Sequence, residues 1–183
     1  MFGGISAGEL KAARSLGASA GLVEHRFVRL PDLLEAQDRG LSFPGLPPTY
    51  IPLRNAVFYS LAASYAEEVG ADLLVGGHNR DDLSVFRDAG SGFFSRMEEA
   101  IRSASAALDG RGFRILRPLE GLTKPQVLAR ASRLGVPLEL TWSCHSGGRR
   151  SCWRCPGCLS RRAAFRSAGL ADPLDRSWPR KVS

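Results

Sequence analysis

Four cysteines fall within fifteen residues: Cys144, Cys152, Cys155 and Cys158, spaced Cys-x7-Cys-x2-Cys-x2-Cys. A Cys-x2-Cys step puts two sulfurs on one tight turn, where they can take two vertices of a tetrahedron about 2.3 Å from a metal. Four thiolates leave no open coordination position, so such a site is structural rather than catalytic. Zinc is the first reading. An iron–sulfur cluster also accepts four cysteines, and elemental analysis separates the two. Disulfides are disfavoured if the chain is cytosolic. Incidental thiols rarely reach this density.

The charge is concentrated in the same region. The chain carries a formal net charge of +7, and residues 144–183 alone hold nine basic and two acidic residues. Residues 1–143 are therefore neutral overall. One reading of the tail is a surface for an anionic partner such as nucleic acid, with Arg161 and Arg162 as candidate tRNA contacts. The other is local compensation: four thiolates on one Zn²⁺ carry a net −2, and nearby cations favour the thiolate form.

A second chemical segment runs from Gly76 to Asp88. Two glycines let a ligand approach the backbone. His78, Asn79, Asp81, Asp82, Ser84 and Asp88 then offer many hydrogen-bonding groups. A solvated loop of turn-forming Asn, Asp and Ser has the same composition. Two further pairs stand at expected helix starts, Arg54-Asn55 after Pro52, and Thr123-Lys124. Each pair could cap its helix, or hold an anion where backbone N–H groups already favour one.

The elements that must position these groups can be read from periodicity and punctuation. Residues 7–16 predict an amphipathic helix ended by Gly17, and residues 22–30 a strand. Residues 38–53, with two glycines and four prolines, predict a loop. Residues 54–69 predict an apolar helix closed by Gly70. Asp72–Gly77 predicts a short buried strand, 93–108 a helix and 113–117 a strand. Residues 124–134 predict a helix opened by Thr123 and Pro125 and closed by Gly135. A last helix is expected near 158–168, ended by Gly169. The alternation implies an α/β fold with a Rossmann-like parallel sheet and helices on both faces. Ligands of such sheets bind at the carboxyl ends of the strands, so the loops after residues 30, 77 and 117 are where a site is expected.

At 183 residues and 44% apolar content, the chain is long enough for a hydrophobic core and is not wholly disordered. It has no uncharged apolar run near the roughly 20 residues that span a bilayer. Its first residues do not read as a signal peptide. A cytoplasmic protein without membrane partners is the expectation.

Taken together, the motifs resemble the 7-cyano-7-deazaguanine synthase family, a branch of the PP-loop ATP pyrophosphatase or adenine nucleotide alpha-hydrolase superfamily. The family's P-x-R-N-x-x-F is Pro52-Leu53-Arg54-Asn55-Ala56-Val57-Phe58. Its G-x-N-x-x-D-x-S-x-Y-x-D block corresponds to Gly77 through Asp88, with Asn79, Asp82, Ser84 and Asp88 in place. Its P-L-x-x-L-x-K is Pro118 through Lys124. Its L-T-W-S-C is Leu140 through Cys144, followed by Cys152, Cys155 and Cys158.

The resemblance implies ATP-dependent adenylation of 7-carboxy-7-deazaguanine, entry of ammonia, and dehydration of the amide to the nitrile preQ0. That base serves queuosine or archaeosine in tRNA. It implies structural zinc, with ATP and Mg²⁺ at the reacting site. By position, the substrate or nucleotide candidates are Arg54, Asn55, Gly77, Asn79, Asp82, Ser84, Phe86, Asp88 and Lys124. Residues 1–140 then form a partial nucleotide-hydrolase-like domain, and 141–183 a four-cysteine zinc-binding region packed on it.

Several positions depart from the family. Gly90 stands where it has arginine, Ala89 where it has cysteine, Phe86 for tyrosine, and Trp153 for glycine. The superfamily's Ser-Gly-Gly-x-Asp-Ser pyrophosphate cradle does not occur in the 183 residues. Glu9-Leu10 through Gly17, then His25, align with the helix and strand that follow it. The first strand–helix unit is thus expected to lie outside the chain, supplied upstream or by a separate chain. Self-association or such a partner would cover the incomplete sheet. The alternative is a zinc-containing binding module for a deazapurine or RNA. Another PP-loop reaction, such as tRNA thiolation, fits less well because those enzymes place cysteines differently.

Overall fold

The computed structural model describes residues 7–28, 30, 43–46, 50–83, 85–146, 148 and 150–175. It has the α/β, Rossmann-like character expected, with a parallel sheet flanked by helices. The chain forms two compact units, Met1–Ile51 with Pro125–Ser183, and Pro52–Lys124.

The 52–124 unit contains the sheet. Helix α2 (Arg54–Val69) precedes strand β1 (Leu73–Val75), and β2 (Arg114–Leu116) pairs with it in parallel, Leu74 opposite Ile115. Between the strands lie a short helix α3 (Arg80–Leu83), a 3-10 turn (Arg87–Ala89), α4 (Ser91–Ala104) and α5 (Ala106–Gly110). The core is Ala63, Ala66, Phe94, Ile101, Leu108, Phe113 and Ile115, with Tyr59, Leu74 and Met97 packed around it. Each large apolar side chain in such a core contributes about 1.5–3 kcal/mol.

The expected strand over Asp72–Gly77 shortens to three residues and is not buried along its length. Leu74 turns to the core, but Leu73, Val75 and Leu116 are exposed, Val75 by 65%. Period two sends neighbouring side chains to opposite faces, and only one face meets the core. The expected helix over 93–108 is two helices. Ser105 breaks it, accepting from the Leu108 N–H and donating to Glu67 Oε1 at 2.5 Å. A hydroxyl that satisfies a fresh helix start competes with continuation of the previous helix.

In the other unit, α1 spans Ala7–Ser19 and runs through Gly17. Gly17 does not end it. A Cβ at Gly17 would collide with the His25 ring, so this glycine admits a close neighbour. Gly21, at φ +70, terminates the segment instead, with Leu22 N–H donating to Gly17 O. The expected strand over 22–30 is not formed among the described residues. Residues 22–28 are irregular and exposed. An apolar, β-branched run reads as a strand, but it needs a partner to become one. Arg14 instead lies over the Phe27 ring, at 5.1 Å.

Helix α6 (Lys124–Arg133) and helix α7 (Pro156–Ser167) follow. Gly70, Gly135 and Gly169 sit beyond α2, α6 and α7 with φ between +66 and +76, the left-handed conformation in which helices commonly stop. Among the described residues, no helix is long and apolar enough to cross a membrane.

Candidate functional site

The four cysteines converge. Their Sγ atoms all lie within 4.8 Å of one another, and Cys152 and Cys158 are 4.0 Å apart. Tetrahedral coordination at about 2.3 Å requires sulfurs about 3.8 Å apart, so the set fits a metal ion. The local chain explains the convergence. Cys152 and Cys155 flank a turn whose Trp153 takes φ +58, and Cys155 caps α7, which presents Cys158 one turn later. Cys144 arrives from an extended segment that passes close to Gly157, where a Cβ would strike the Ser143 carbonyl.

Backbone N–H groups point at the sulfurs: Cys152 N–H to Cys144 at 3.3 Å, Cys155 N–H to Cys152 at 3.3 Å and His145 N–H to Cys155 at 3.4 Å. Such donors stabilise thiolates. Backbone donation from Arg154 and Cys155 pulls the Cys152 thiol down to about 6. Burial opposes ionisation of Cys144, but the Ser146 hydroxyl and the backbone of Cys152 hold it below its usual value. Burial pushes Cys158 up to about 12. The bare cluster therefore keeps a proton that a bound cation would release.

Arg161 braces this region. It is 5% exposed and its partner Asp172 1%. Nε and Nη2 donate to the two Asp172 oxygens at 2.6 and 2.8 Å, and Nη1 donates to Thr141 Oγ1 at 2.7 Å. It thereby ties the helix that carries Cys158 to the segment that leads into Cys144. Breaking a buried pair of this kind costs about 3–5 kcal/mol. Arg162 pairs with Asp175 at 3.3 Å and lies over Trp153. These two cations, for which one reading is a surface for an anionic partner, are paired with acids of the same unit.

The second constellation lies in the 52–124 unit, at the carboxyl ends of the strands. Leu53 takes φ +55, rare for a bulky residue, and turns the chain into α2 at Arg54. Asn55 then meets Asp88: its N–H donates to Asp88 Oδ2 at 3.3 Å, and Nδ2 to the Asp88 carbonyl at 2.9 Å. Asn79 folds onto Asp82, Nδ2 to Oδ2 at 2.7 Å, and accepts from the Asp81 N–H at 3.0 Å. The Lys124 N–H donates to Asp81 Oδ2 at 2.9 Å, and its Nζ lies 3.8 Å from Asp82 Oδ1. Three sequence blocks are thus joined: Asn55 to Asp88, and Asp81 and Asp82 to Lys124. Gly77 is open on its Cα side, with nothing within 4 Å of an added Cβ. Phe86 is half-buried beside the 3-10 turn. Ser84 lies outside the described residues.

Three residues near these were not selected from the sequence, Tyr59, Phe94 and Arg117, and they surround His78, which the sequence offers as a polar group of the segment after β1. The His78 and Tyr59 rings lie 4.9 and 4.8 Å from Phe94, and the Arg117 guanidinium lies 4.8 Å above the same ring. Burial lowers the His78 pKa, opposed by Asp82 and Asp88 and aided by Arg117 and Arg54. Charges from two of the blocks, and from Arg117 just before the third, therefore act on this imidazole. Only the position of Arg117, at the carboxyl end of an expected strand, could have flagged it.

Residues 8–169 match the family described as Queuosine biosynthesis protein QueC. The chain is 39% identical to a 7-cyano-7-deazaguanine synthase of Thermoplasma acidophilum, over 88% of this chain and 65% of that protein. It is 35% identical to one of Thermosynechococcus vestitus, covering 91% of this chain and 78% of that protein. For one of Stutzerimonas stutzeri the identity is 37%, over 90% and 79%. The chain thus spans about two thirds to four fifths of these curated relatives. With this match across most of its length, the chain belongs to the QueC family of queuosine biosynthesis proteins.

Proposed function

We propose that the chain serves ATP-dependent conversion of 7-carboxy-7-deazaguanine and ammonia to preQ0, the reaction of a carbon–nitrogen ligase of the 7-cyano-7-deazaguanine synthase type. The observation that carries this reading is the joining of three motif blocks in one unit through the Asn55–Asp88 and Lys124–Asp82 contacts. Adenylation of a carboxylate asks for cations and Mg²⁺ around phosphates rather than a protein nucleophile. Arg54 and Lys124 supply cations. A deazaguanine asks for acceptors along its N–H edge and an aromatic neighbour, roles that Asp82 or Asp88 and Phe86 fill. The four cysteines hold zinc and shape the C-terminal segment.

The test is an assay of the chain with 7-carboxy-7-deazaguanine, ATP, Mg²⁺ and ammonium, with the product followed by mass spectrometry. ATP-dependent appearance of preQ0 is the expected result. Substrate binding by the folded chain with no preQ0 formed counts against the reading. An RNA-binding role gains nothing from Arg161 and Arg162, which are engaged by Asp172 and Asp175. The exposed apolar faces of Leu73, Val75 and Leu116 support self-association or a partner chain in the cytoplasm. A monomer by light scattering, stable at high concentration, counts against that.

A further inference from the structure

We propose that Arg117 forms an anion-binding subsite at the carboxyl end of β2, one that takes a carboxylate or phosphoryl oxygen of a small ligand. Residue 117 follows β2 directly, where parallel sheets present ligand sites. Its side chain is 13% exposed. Nε and Nη1 are buried and have no hydrogen-bond partner. Nη2 lies 3.0 Å from Glu120 Oε2, yet that oxygen also lacks a hydrogen-bond partner, so the contact is one of charge alone. A guanidinium has five donors, no acceptor and a permanent charge. Buried donors without acceptors carry a desolvation penalty that a ligand oxygen removes.

A cavity borders this side chain. Its volume is about 370 Å³, and Phe94, Ser95, Glu98, Arg102, Arg114 and Arg117 line it. That volume is in the range of small-molecule sites. The acid at its wall is already engaged. Glu98 Oε1 meets Arg102 at 3.0 Å and Arg114 at 3.5 Å, while Oε2 accepts the Ile115 N–H at 2.8 Å. Glu99, also on the wall, is exposed to solvent. Phe94 supports the guanidinium from beneath, as cations favour aromatic faces. Arg117 also acts on His78 and Tyr59: behind the dominant effect of burial, its charge lowers the pKa of each. The same cation thus faces the cluster at the end of β1.

This subsite does not depend on turnover, and its test reads binding alone. The chain is labelled with ¹⁵N at arginine, and the Nε–H resonance of residue 117 is assigned by its loss in Arg117→Lys. Inorganic phosphate and pyrrole-3-carboxylate are titrated separately. A saturable shift with either supports the subsite and identifies its oxygen source: phosphate alone marks a phosphoryl site, the pyrrole acid alone a carboxylate site, and both an oxyanion site open to either. By calorimetry, Arg117→Gln weakens the responding probe about tenfold or more. No saturable shift with either probe, or equal affinity in a folded Arg117→Gln, overturns the proposal. If that variant does not fold, the wild-type resonance decides.

Discussion

Asn55 and Asp88 clasp each other across 33 positions, and each uses both backbone and side chain. The Asn55 amide side chain reaches the Asp88 carbonyl, while the Asp88 carboxylate receives the Asn55 N–H. The start of α2 is thereby fixed to the 3-10 turn that follows Phe86. Two loops at the ends of different elements become one surface.

Asn55→Ala removes the side-chain half of this clasp and keeps the backbone half. A partly buried neutral hydrogen bond contributes about 0.5–1.5 kcal/mol, so a small loss of stability is expected in urea denaturation. Asp88→Ala removes the other half. The double variant should lose less than the sum of the two, because neighbours in one network couple. Strictly additive losses would mean that the two residues do not act together.

Gly76 is required by Tyr59. A Cβ at Gly76 would collide with the Tyr59 hydroxyl, whereas the ring carbon that bears it is 3.2 Å away. Gly76→Ala is expected to cost about 1–3 kcal/mol through overpacking. Tyr59→Phe removes the obstructing oxygen, so the double variant Gly76→Ala with Tyr59→Phe should regain most of that loss. Thermal unfolding of the four proteins checks it.

The sulfur cluster makes metal content a direct readout. Native mass spectrometry and elemental analysis of purified chain are expected to give one zinc per chain, and Cys158→Ala to abolish tight binding. Metal uptake by apoprotein should release protons, since Cys158 is protonated near neutrality in the bare cluster. Iron with visible absorbance would replace zinc by an iron–sulfur cluster.

His78 gives the 52–124 unit an acid sensitivity. Its folded pKa is depressed, chiefly by burial, so the folded state binds a proton less readily than the unfolded chain. Its neutral form contributes fully above about pH 6.5, and that contribution is lost as pH falls through the lower folded value. The stability difference between the parent and His78→Gln should therefore shift towards the variant on acidification from neutral pH. A difference that stays constant with pH would show that the imidazole titrates normally.

Much of this arrangement was legible in the residues. Helices over 54–69 and 124–133 are bounded by Pro52 and Pro125 at the start and by glycines at the end, local signals that need no tertiary partner. The metal site was legible because its ligands are close in sequence. The apolar run at 22–28 was misread because pairing, not composition, makes a strand. Gly17 was misread as a stop because its neighbour, His25, is known only from packing. Tyr59 lies on α2, Phe94 on α4 and Arg117 just after β2. Their meeting over one ring leaves no spacing to recognise. Outside any motif, a buried arginine looks the same as a solvated one.

The central claim is that residues 52–124 hold a deazaguanine substrate where the start of α2, the loop after β1 and Lys124 are joined. Isothermal titration of the zinc-loaded chain with 7-carboxy-7-deazaguanine tests it most directly, because it asks for neither ATP nor turnover. One binding site per chain is predicted, weakened about tenfold or more by Asp88→Ala in protein that remains folded. No binding by the folded parent chain, or affinity unchanged in folded Asp88→Ala, would contradict the account.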